Sequence, residues 1–263
     1  MKQFVIFGNP VSHSKSPLMH NLAFRKLGFN GCYGRWQLLD GKNLRDTFIR
    51  LNLNGCNITV PHKEEAFKAA DIVEPFAKEV KAVNTLVLKN QKLYGYNTDA
   101  PGFYRALKKL GSIKSALIIG AGGTARALAP YLRSKDIDIE VINRSAMRLE
   151  WFKKEGFVCH TWGSFNPTAK NLIINTTSAG LTDESFPMPE ELLDGALKNA
   201  RCAVDVIYGK ETPFLKRAKT FALPLFDGSE MLLQQGIIAF DYFTEHKYSL
   251  DEIESVMRDS LKL

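Results

Sequence analysis

A strand–glycine–helix segment at residues 116–128 constrains the fold of this chain more than any other feature. Its apolar residues 116–119 predict a buried strand that ends at Gly120, and a helical pattern of apolar residues begins after Thr124. Gly120 allows a tight turn, Gly122 lets backbone N–H groups approach a pyrophosphate, and Ala125 is small enough for the helix to pack on the strand. The segment predicts a dinucleotide site at the helix N-terminus. A glycine-rich turn that binds no nucleotide is the alternative interpretation.

The residues after the next predicted strand, 139–142, indicate which dinucleotide is bound. NAD-binding folds place an acidic residue about twenty residues beyond the glycines. This chain instead has Asn143, Arg144 and Ser145, with Arg148 four residues after Arg144. Two guanidinium groups at positions i and i+4 of a helix share one face and can bind a phosphate. The sequence therefore favours NADP over NAD, with ordinary surface arginines at a helix start as the alternative.

Composition and charge narrow the class of protein. Hydrophobic residues make up 45% and charged residues 24% of the 263 positions, which is typical of a globular chain with one or two domains. The net charge of +7 is spread along the chain and forms no long basic run, so we expect no nucleic-acid partner. A positive balance also suits anionic ligands.

The four cysteines indicate the cellular compartment. They are widely spaced, with no C-x-x-C pair and no Cys/His cluster, so we expect neither a zinc site nor any other metal, and no disulfide framework. No stretch approaches the ~20 apolar residues of a membrane span, and the N-terminus does not resemble a signal peptide. These features predict a cytoplasmic protein without a membrane partner, either a monomer or a homodimer.

The order of predicted elements indicates an α/β fold with two α/β domains. Strands and helices alternate from Phe4 to Lys63, which predicts a mostly parallel sheet. Residues 83–88 and 92–96 predict an antiparallel pair at the edge of that sheet, around a turn at Asn90. We expect residues 1–99 with 236–263 to form the first domain. Residues 100–235 are expected to form a Rossmann-type nucleotide domain, with a cleft between the two.

Polar side chains collect where the strands of the first domain end. Because ligands bind at the carboxyl ends of parallel strands, these side chains are candidates for a binding site. They are Ser14, Ser16, Asn57, Thr59, Lys63, Asn84 and the run Asn97, Thr98 and Asp99. Neutral donors and acceptors with one lysine and one aspartate suit a small polyhydroxylated ligand. Taken singly, Ser16 could be a helix N-cap, Asn84 a turn residue and Lys63 a surface charge.

Short stretches along nearly the whole chain resemble the shikimate dehydrogenase family in that family's order and spacing. They read GNPVSHSKSP, NITVPHK, AVNTL, YNTD, GAGGTARA, NRS, NTTSAG, DVIYGKETPFL and MLLQQ. The resemblance implies an NADP-dependent oxidoreductase that reversibly reduces 3-dehydroshikimate to shikimate in aromatic amino-acid (chorismate) biosynthesis. It also implies that the first domain binds the substrate and the second binds NADP.

The resemblance assigns roles to residues at matching positions. Shikimate would be bound by Ser14, Ser16, Asn57, Thr59, Asn84, Asp99, Tyr208 and Gln235. NADP would be bound by Gly120, Ala121, Gly122, Gly123 and Thr124, and by Asn143, Arg144, Ser145 and Arg148. Thr177, Val206, Gly228 and Met231 would lie near its nicotinamide half. Lys63 and Asp99 would form the catalytic pair. Lys63 would act either as a general base or by stabilising a developing alkoxide, and the residues leave both open.

Three positions depart from the family pattern, and three other functions compete. Ala100 stands in place of a glycine and Lys210 in place of a proline, which bears on loop geometry. Glu230 replaces a glycine and could alter contacts to the nicotinamide. The alternatives are a family member that also oxidises quinate, perhaps with NAD, a non-catalytic NADP-binding sensor, and a folate-linked NADP dehydrogenase. The two arginines argue against NAD, the catalytic pair against a sensor, and the serine and asparagine cluster against folate.

Overall fold

The computed structural model describes residues 1–262 and contains two six-stranded sheets. Leu263, the last residue of the predicted first domain, lies outside the described residues. In chain order the strands are β1 (Lys2–Gly8), β2 (Gly31–Gln37), β3 (Gly55–Ile58), β4 (Ile72–Val73), β5 (Thr85–Lys89), β6 (Lys92–Tyr96), β7 (Ser115–Ile119), β8 (Asp138–Ile142), β9 (Val158–His160), β10 (Lys170–Asn175), β11 (Ala200–Asp205) and β12 (Leu225–Phe226). The α-helices are α1 (Ser16–Lys26), α2 (Leu44–Arg50), α3 (Lys63–Ala69), α4 (Pro75–Val80), α5 (Asp99–Leu107), α6 (Gly123–Arg133), α7 (Ala146–Lys154), α8 (Glu190–Lys198), α9 (Pro213–Thr220), α10 (Gly228–Phe243) and α11 (Leu250–Met257).

The described chain divides into two compact units. Unit 1 consists of Met1–Gly102 and the segment from Leu233 onward, and unit 2 is the continuous stretch Phe103–Leu232. The divisions fall inside α5 and α10, so each of these helices contributes residues to both units.

The sheet of unit 1 has the strand order β2-β1-β3-β5-β6-β4. Strands β2, β1 and β3 run parallel, whereas β5 is antiparallel to both β3 and β6. The predicted antiparallel pair is therefore present, but its placement at the sheet edge was wrong. Ile72 and Val73 of β4 pair with Tyr94 and Gly95 of β6 and form the edge instead.

Helices cover both faces of this sheet, and side chains on opposite sides of β1 are therefore both buried. Phe4 packs against Phe243 of α10, with 4.7 Å between ring centroids, and lies in an aromatic cluster with Phe24 of α1. Phe7 faces the other way, into a core formed by α2, α3 and α4. Burial on both faces accounts for the apolar runs of β1 and β3.

The sheet of unit 2 has the strand order β12-β11-β10-β7-β8-β9, with every adjacent pair parallel. This is the order of a doubly wound sheet, in which the chain reverses direction between β7 and β10. Ligands of such folds bind at this reversal, beyond the carboxyl ends of the strands. The expectation of an α/β fold with two mostly parallel sheets, one of them Rossmann-type, is confirmed.

Within residues 1–262, no helix has the length and apolar character needed to span a membrane.

Candidate active site

Lys63 and Asp99 form an ion pair in unit 1. Lys63 begins α3 and Asp99 begins α5, and Lys63 Nζ lies 2.6 Å from Asp99 Oδ2. The Lys63 carbonyl accepts a hydrogen bond from the Val83 N–H, and the Asp99 N–H donates to Asn97 Oδ1. Their side chains are 32% and 16% exposed, so the pair is held by ordered backbone yet remains open to a ligand.

A buried hydrogen-bond network lies at the ends of β3 and β5. The Tyr33 hydroxyl donates to Asn57 Oδ1 at 2.6 Å, and Asn57 Nδ2 donates to Thr85 Oγ1 and to the Asn84 carbonyl. Asn84 Oδ1 accepts from the Thr98 N–H at 2.8 Å, and Asn84 Nδ2 donates to Thr98 Oγ1. An amide carries two donor hydrogens and two acceptor lone pairs. One lone pair of Asn57 and one hydrogen of Asn84 thus have no partner among the described residues.

The serines after β1 are buried and linked to this network. Ser14 Oγ accepts the Ser16 N–H, while Arg35 donates twice to the Ser14 carbonyl, at 3.0 and 2.5 Å. Ser16 lies near the Tyr33 hydroxyl and partly offsets the rise of the Tyr33 pKa that burial causes. Ser16 is the first residue of α1, whose N-cap is Lys15, so the alternative interpretation of Ser16 as the N-cap was wrong.

The remaining substrate candidates divide between the two units. Thr59 lies half-buried just beyond β3, and its N–H donates to the Phe7 carbonyl. Gln235 is buried in α10, where a Cβ on Gly102 would lie 2.5 Å from its backbone nitrogen. Tyr208, by contrast, belongs to unit 2, where burial raises the pKa of its hydroxyl. Unit 1 therefore contains all of the substrate candidates except Tyr208.

Two aromatic residues behind the serines escaped the sequence prediction. The His20 ring stacks on Tyr33 with 4.3 Å between centroids, and neither of its nitrogens has a hydrogen-bond partner among the described residues. Complete burial lowers the pKa of His20 to about 3 and raises that of Tyr33. His20 lies among buried apolar residues of α1, and Tyr33 is the one buried residue of the short strand β2. Neither belongs to a polar motif, so their sequence context did not indicate a site.

Acid is expected to destabilise unit 1 through His20. Between about pH 6.5 and pH 3 the unfolded chain binds a proton at this residue that the folded chain does not, so stability falls as the pH drops. The loss between pH 7 and pH 5 is about 2 kcal/mol. Urea unfolding at the two pH values measures it, and His20→Phe should remove this part of the difference. The exposed His13, changed to Gln, should keep it; an unchanged pH dependence in His20→Phe would contradict the assignment.

The glycine turn of unit 2 has the shape expected of a pyrophosphate site. Gly120 has φ +107°, and a Cβ there would lie 2.8 Å from Thr176 Oγ1. A Cβ on Gly122 or Gly123 would meet nothing within 4 Å, so the space in front of the α6 N-terminus is open. No side chain caps α6, and Ala125 is fully buried against the sheet. Free N–H groups and open space at a helix N-terminus fit a phosphate.

The arginines after β8 are exposed, but not in the predicted arrangement. Arg144 precedes Ser145, the N-cap of α7, so it does not share a helix face with Arg148 and that part of the argument was wrong. The Arg144 guanidinium instead lies over the Trp162 ring, 6.0 Å from its centroid. Asn143 Nδ2 donates to the Ser145 carbonyl and orders the turn. Arg144 in this turn and Arg148 at the start of α7 supply two cations, with no carboxylate in the residues between them, which suits a phosphate.

Three of the candidates for the nicotinamide half lie close together beyond β10 and β11. Both the N–H and the hydroxyl of Thr177 donate to Asn175 Oδ1, and the Val206 N–H donates to the Asn175 carbonyl. A Cβ on Gly228 would lie only 2.1 Å from the Val206 carbonyl oxygen. Met231 is half-buried in the first turn of α10.

The three departures are accommodated within the structure. Glu230 pairs with Lys109, so its negative charge is compensated. Lys210 donates to the Asp183 carbonyl and lies 3.7 Å from the Glu184 carboxylate, which ties its loop to the segment after β10. Ala100 is fully buried in α5.

Comparison with known proteins places this geometry in a family. A family model described as the shikimate dehydrogenase substrate binding domain matches residues 6–86. A shikimate dehydrogenase (NADP(+)) from Helicobacter hepaticus is 47% identical over 253 residues, covering 95% of this chain and 94% of that protein. The chain belongs to the shikimate dehydrogenase family.

Two solved structures of this family have the same fold. Shikimate dehydrogenase from Aquifex aeolicus is 35% identical, with a TM-score of 0.87 and coverage of 100% of this chain and 98% of the other. Shikimate 5-dehydrogenase from Thermus thermophilus, in complex with NADP(H) and shikimate, is 35% identical, with a TM-score of 0.86 and coverage of 99% and 100%. The resemblance seen in the sequence motifs is confirmed over nearly the full length.

Proposed function

We propose that this chain is an NADP-dependent oxidoreductase that reversibly reduces 3-dehydroshikimate to shikimate in aromatic amino-acid biosynthesis. The names of its relatives and the NADP(H) and shikimate in the Thermus thermophilus structure support this reaction. In the proposal, unit 1 binds shikimate and unit 2 binds NADP. The match of residues 6–86 to a substrate binding domain supports the first assignment, and the open glycine turn of α6 supports the second.

The contact that carries the proposed mechanism is the 2.6 Å ion pair of Lys63 with Asp99. Bound NADP supplies the acceptor for the hydride that leaves the secondary alcohol. In its neutral form, Lys63 Nζ takes the hydroxyl proton as this oxidation proceeds and returns it in the reduction, while Asp99 Oδ2 holds the amine in place. In the same position, an ammonium form of Lys63 would stabilise the developing alkoxide.

The polar network supports shikimate as the ligand of unit 1. Shikimate carries a carboxylate and several hydroxyls, so it needs both donors and acceptors. The hydroxyls of Ser14, Ser16 and Thr59 supply donors for the carboxylate. The free lone pair of Asn57 and the free amide hydrogen of Asn84 supply one acceptor and one donor for ring hydroxyls. The proposed set is completed by Asp99, Gln235 and Tyr208.

NADP is proposed to bind along the carboxyl edge of the sheet in unit 2. The backbone of residues 120–124 holds the pyrophosphate at the α6 N-terminus. Asn143, Arg144, Ser145 and Arg148 hold the 2′-phosphate, and Thr177, Val206, Gly228 and Met231 contact the nicotinamide half.

Removal of Arg144 is expected to weaken NADP selectively. A charge-assisted hydrogen bond to phosphate is worth about 1.5–3 kcal/mol, so Arg144→Ala should raise the KM for NADP roughly tenfold or more and leave the KM for shikimate nearly unchanged. Arg133→Ala serves as the control. It removes the same charge at the C-terminal end of α6, away from the glycine turn, where Arg133 lies over the Phe157 ring. Equal losses in the two variants would mean that net charge alone is responsible.

One set of rate measurements tests the function itself. Shikimate and quinate are each assayed with NADP and with NAD, and the absorbance of the reduced nicotinamide is followed. We expect the shikimate–NADP pair to give the highest kcat/KM. Turnover of quinate at a comparable rate, an equal rate with NAD, or no turnover at all would each contradict the proposal.

The cellular setting belongs to the same proposal. We place the enzyme in the cytoplasm as a monomer or homodimer. All four cysteines are free, which supports a reducing compartment.

A further inference from the structure

The mechanism proposed above makes no use of a fully buried carboxylate in unit 2. Asp205 is the last residue of β11 and has no exposed surface. Burial raises the pKa of Asp205, although Thr212, Ile207 and Asn175 all donate hydrogen bonds to it. A buried carboxylate is unfavourable unless its oxygens are satisfied, so this position requires an explanation.

Each Asp205 oxygen accepts from a different part of the chain. Oδ2 accepts from Asn175 Nδ2 at 3.0 Å and from the Thr212 hydroxyl at 2.6 Å. Oδ1 accepts from the Ile207 N–H at 3.0 Å. The carboxylate therefore joins the end of β10, the turn directly after β11 and the residue that caps α9.

The partners of Asp205 in turn fix residues at the carboxyl edge of the sheet. Asn175 donates to Asp205 with its amide nitrogen and accepts both bonds of Thr177 with its amide oxygen. Because this geometry sets which way the Asn175 amide points, Asp205 determines the position of Thr177. The bond to Ile207 restrains the turn that starts at Val206.

The loop after β10 also packs tightly against the start of α9, close to Thr212. A Cβ on Gly180 would lie 2.7 Å from Pro213 Cδ and 3.2 Å from Thr212 Cβ. Thr212 Oγ1 accepts the Leu215 N–H while donating to Asp205, so one hydroxyl serves both the α9 cap and the carboxylate. A change at Asp205 is therefore transmitted to the loop after β10.

We propose that Asp205 is a positioning residue that holds Thr177 and Val206 in place for the nicotinamide half of NADP and has no influence on the adenine half. The inference rests on the proposed function. The proposal predicts a loss of affinity for the nicotinamide half alone. Among the described residues of unit 2, neither the glycine turn (120–124) nor the turn with Arg144 (143–145) forms a hydrogen bond to the Asp205 carboxylate.

Asp205→Asn is the informative variant, because every hydrogen-bond partner of this side chain is a donor. It also removes the like-charge effect of Asp227 on Asp205. An asparagine amide presents one oxygen and one NH₂ group, so in either orientation one N–H or O–H donor meets another donor. The variant keeps the volume of the side chain and removes at least one of the hydrogen bonds that Asp205 accepts. Thr212→Val removes the hydroxyl, whereas Thr212→Ser retains both of its hydrogen bonds.

The test compares two ligands by calorimetry: NADP, and adenosine 2′,5′-bisphosphate, which carries only the adenine half. We expect Asp205→Asn to raise the Kd for NADP about tenfold, since an uncompensated buried donor is costly, and to leave that of the bisphosphate unchanged. Thr212→Val should behave in the same way and Thr212→Ser like the wild type. Asp194→Asn, which weakens the Asp194–Arg217 pair between α8 and α9, is the control and should change neither Kd.

Two outcomes would overturn the inference. Equal weakening of both ligands would mean a general defect of unit 2, and no weakening of either would mean that Asp205 only stabilises the fold. If Asp205→Asn does not fold, the comparison of Thr212→Val with Thr212→Ser decides by the same measure. The wild-type protein shows whether the proposed function itself has failed. In that case it would bind neither NADP nor the bisphosphate, or it would not oxidise shikimate.

Discussion

Replacement of Lys63 by alanine is expected to lower kcat by about 10²–10⁴-fold, the usual contribution of a proton-transfer group. Affinity for NADP should be preserved and the KM for shikimate should change only modestly, since Lys63 acts on the reacting hydroxyl. The fold should survive because the side chain is 32% exposed and its removal leaves the apolar core intact. Steady-state rates with shikimate and NADP, together with circular dichroism, measure both statements.

A second lysine of the same helix provides the control. Lys68 lies on α3 as well, is exposed and pairs with Glu65 at 2.7 Å. Lys68→Ala removes the same charge from the same helix and should leave kcat unchanged. A Lys63→Ala enzyme that retained more than about half of the wild-type kcat would exclude Lys63 from proton transfer.

The ion pair predicts that the effects of Lys63 and Asp99 are not additive. Asp99→Asn should also slow turnover and in addition weaken shikimate, because Asp99 orients Lys63 and contacts a hydroxyl in the proposal. The double variant should be hardly slower than Lys63→Ala, since residues that act as a unit lose their function together. Fully additive losses would indicate two independent roles.

Alanine at Gly120 is expected to destabilise unit 2 by about 3 kcal/mol. Its φ of +107° is a conformation that residues with a Cβ rarely adopt. The new Cβ would also lie 2.8 Å from Thr176 Oγ1, which is held by its hydrogen bond to the Ile119 carbonyl. Thermal and urea unfolding measure the loss.

Gly122 separates the stability of this turn from its proposed binding role. Its φ is −86° and a Cβ would meet no atom within 4 Å, so Gly122→Ala should cost at most about 1 kcal/mol, the preference for glycine over alanine at an N-cap. Because the added methyl would occupy the proposed pyrophosphate space, the Kd for NADP should rise at least tenfold, on the order of the loss of one charge-assisted contact. Unchanged NADP affinity in Gly122→Ala would argue against a pyrophosphate at this turn.

Local signals were sufficient to predict the elements that carry the candidate site. The segment at residues 116–128 shows the apolar run of a buried strand, a break at Gly120 and the apolar spacing of a helix. These three signals depend only on neighbours in sequence. The polar residues after β1 and at the end of β3 were found because the carboxyl ends of parallel strands share one edge. Asn84 reaches the same edge in another way, because it precedes β5 and β5 runs antiparallel to β3. Asn57 and Asn84 are joined by a hydrogen bond because the start of β5 lies beside the end of β3.

Features that depend on distant partners could not be predicted. The two residues of β4 are too few for any pattern, and their pairing with β6 is set by the packing of α4 and its neighbours. Asp205 follows an apolar run like many surface aspartates, and only Asn175 and Thr212 make its burial possible. The error at Arg144 arose at a helix boundary, where Ser145 has an extended backbone and α7 begins one residue later.

The discontinuity of unit 1 sets an order for its folding on the ribosome. Phe240 and Phe243 lie against Phe24 and Phe4, at 5.0 and 4.7 Å between ring centroids, so the aromatic core closes only after α10 has been translated. Unit 2 is continuous, and domains generally fold as units while the chain emerges. It can therefore acquire its structure while the nascent N-terminal segment still exposes Phe4 and Phe24. During that interval the growing polypeptide exposes the apolar side chains of Phe4 and Phe24, which can bind chaperones or cause aggregation.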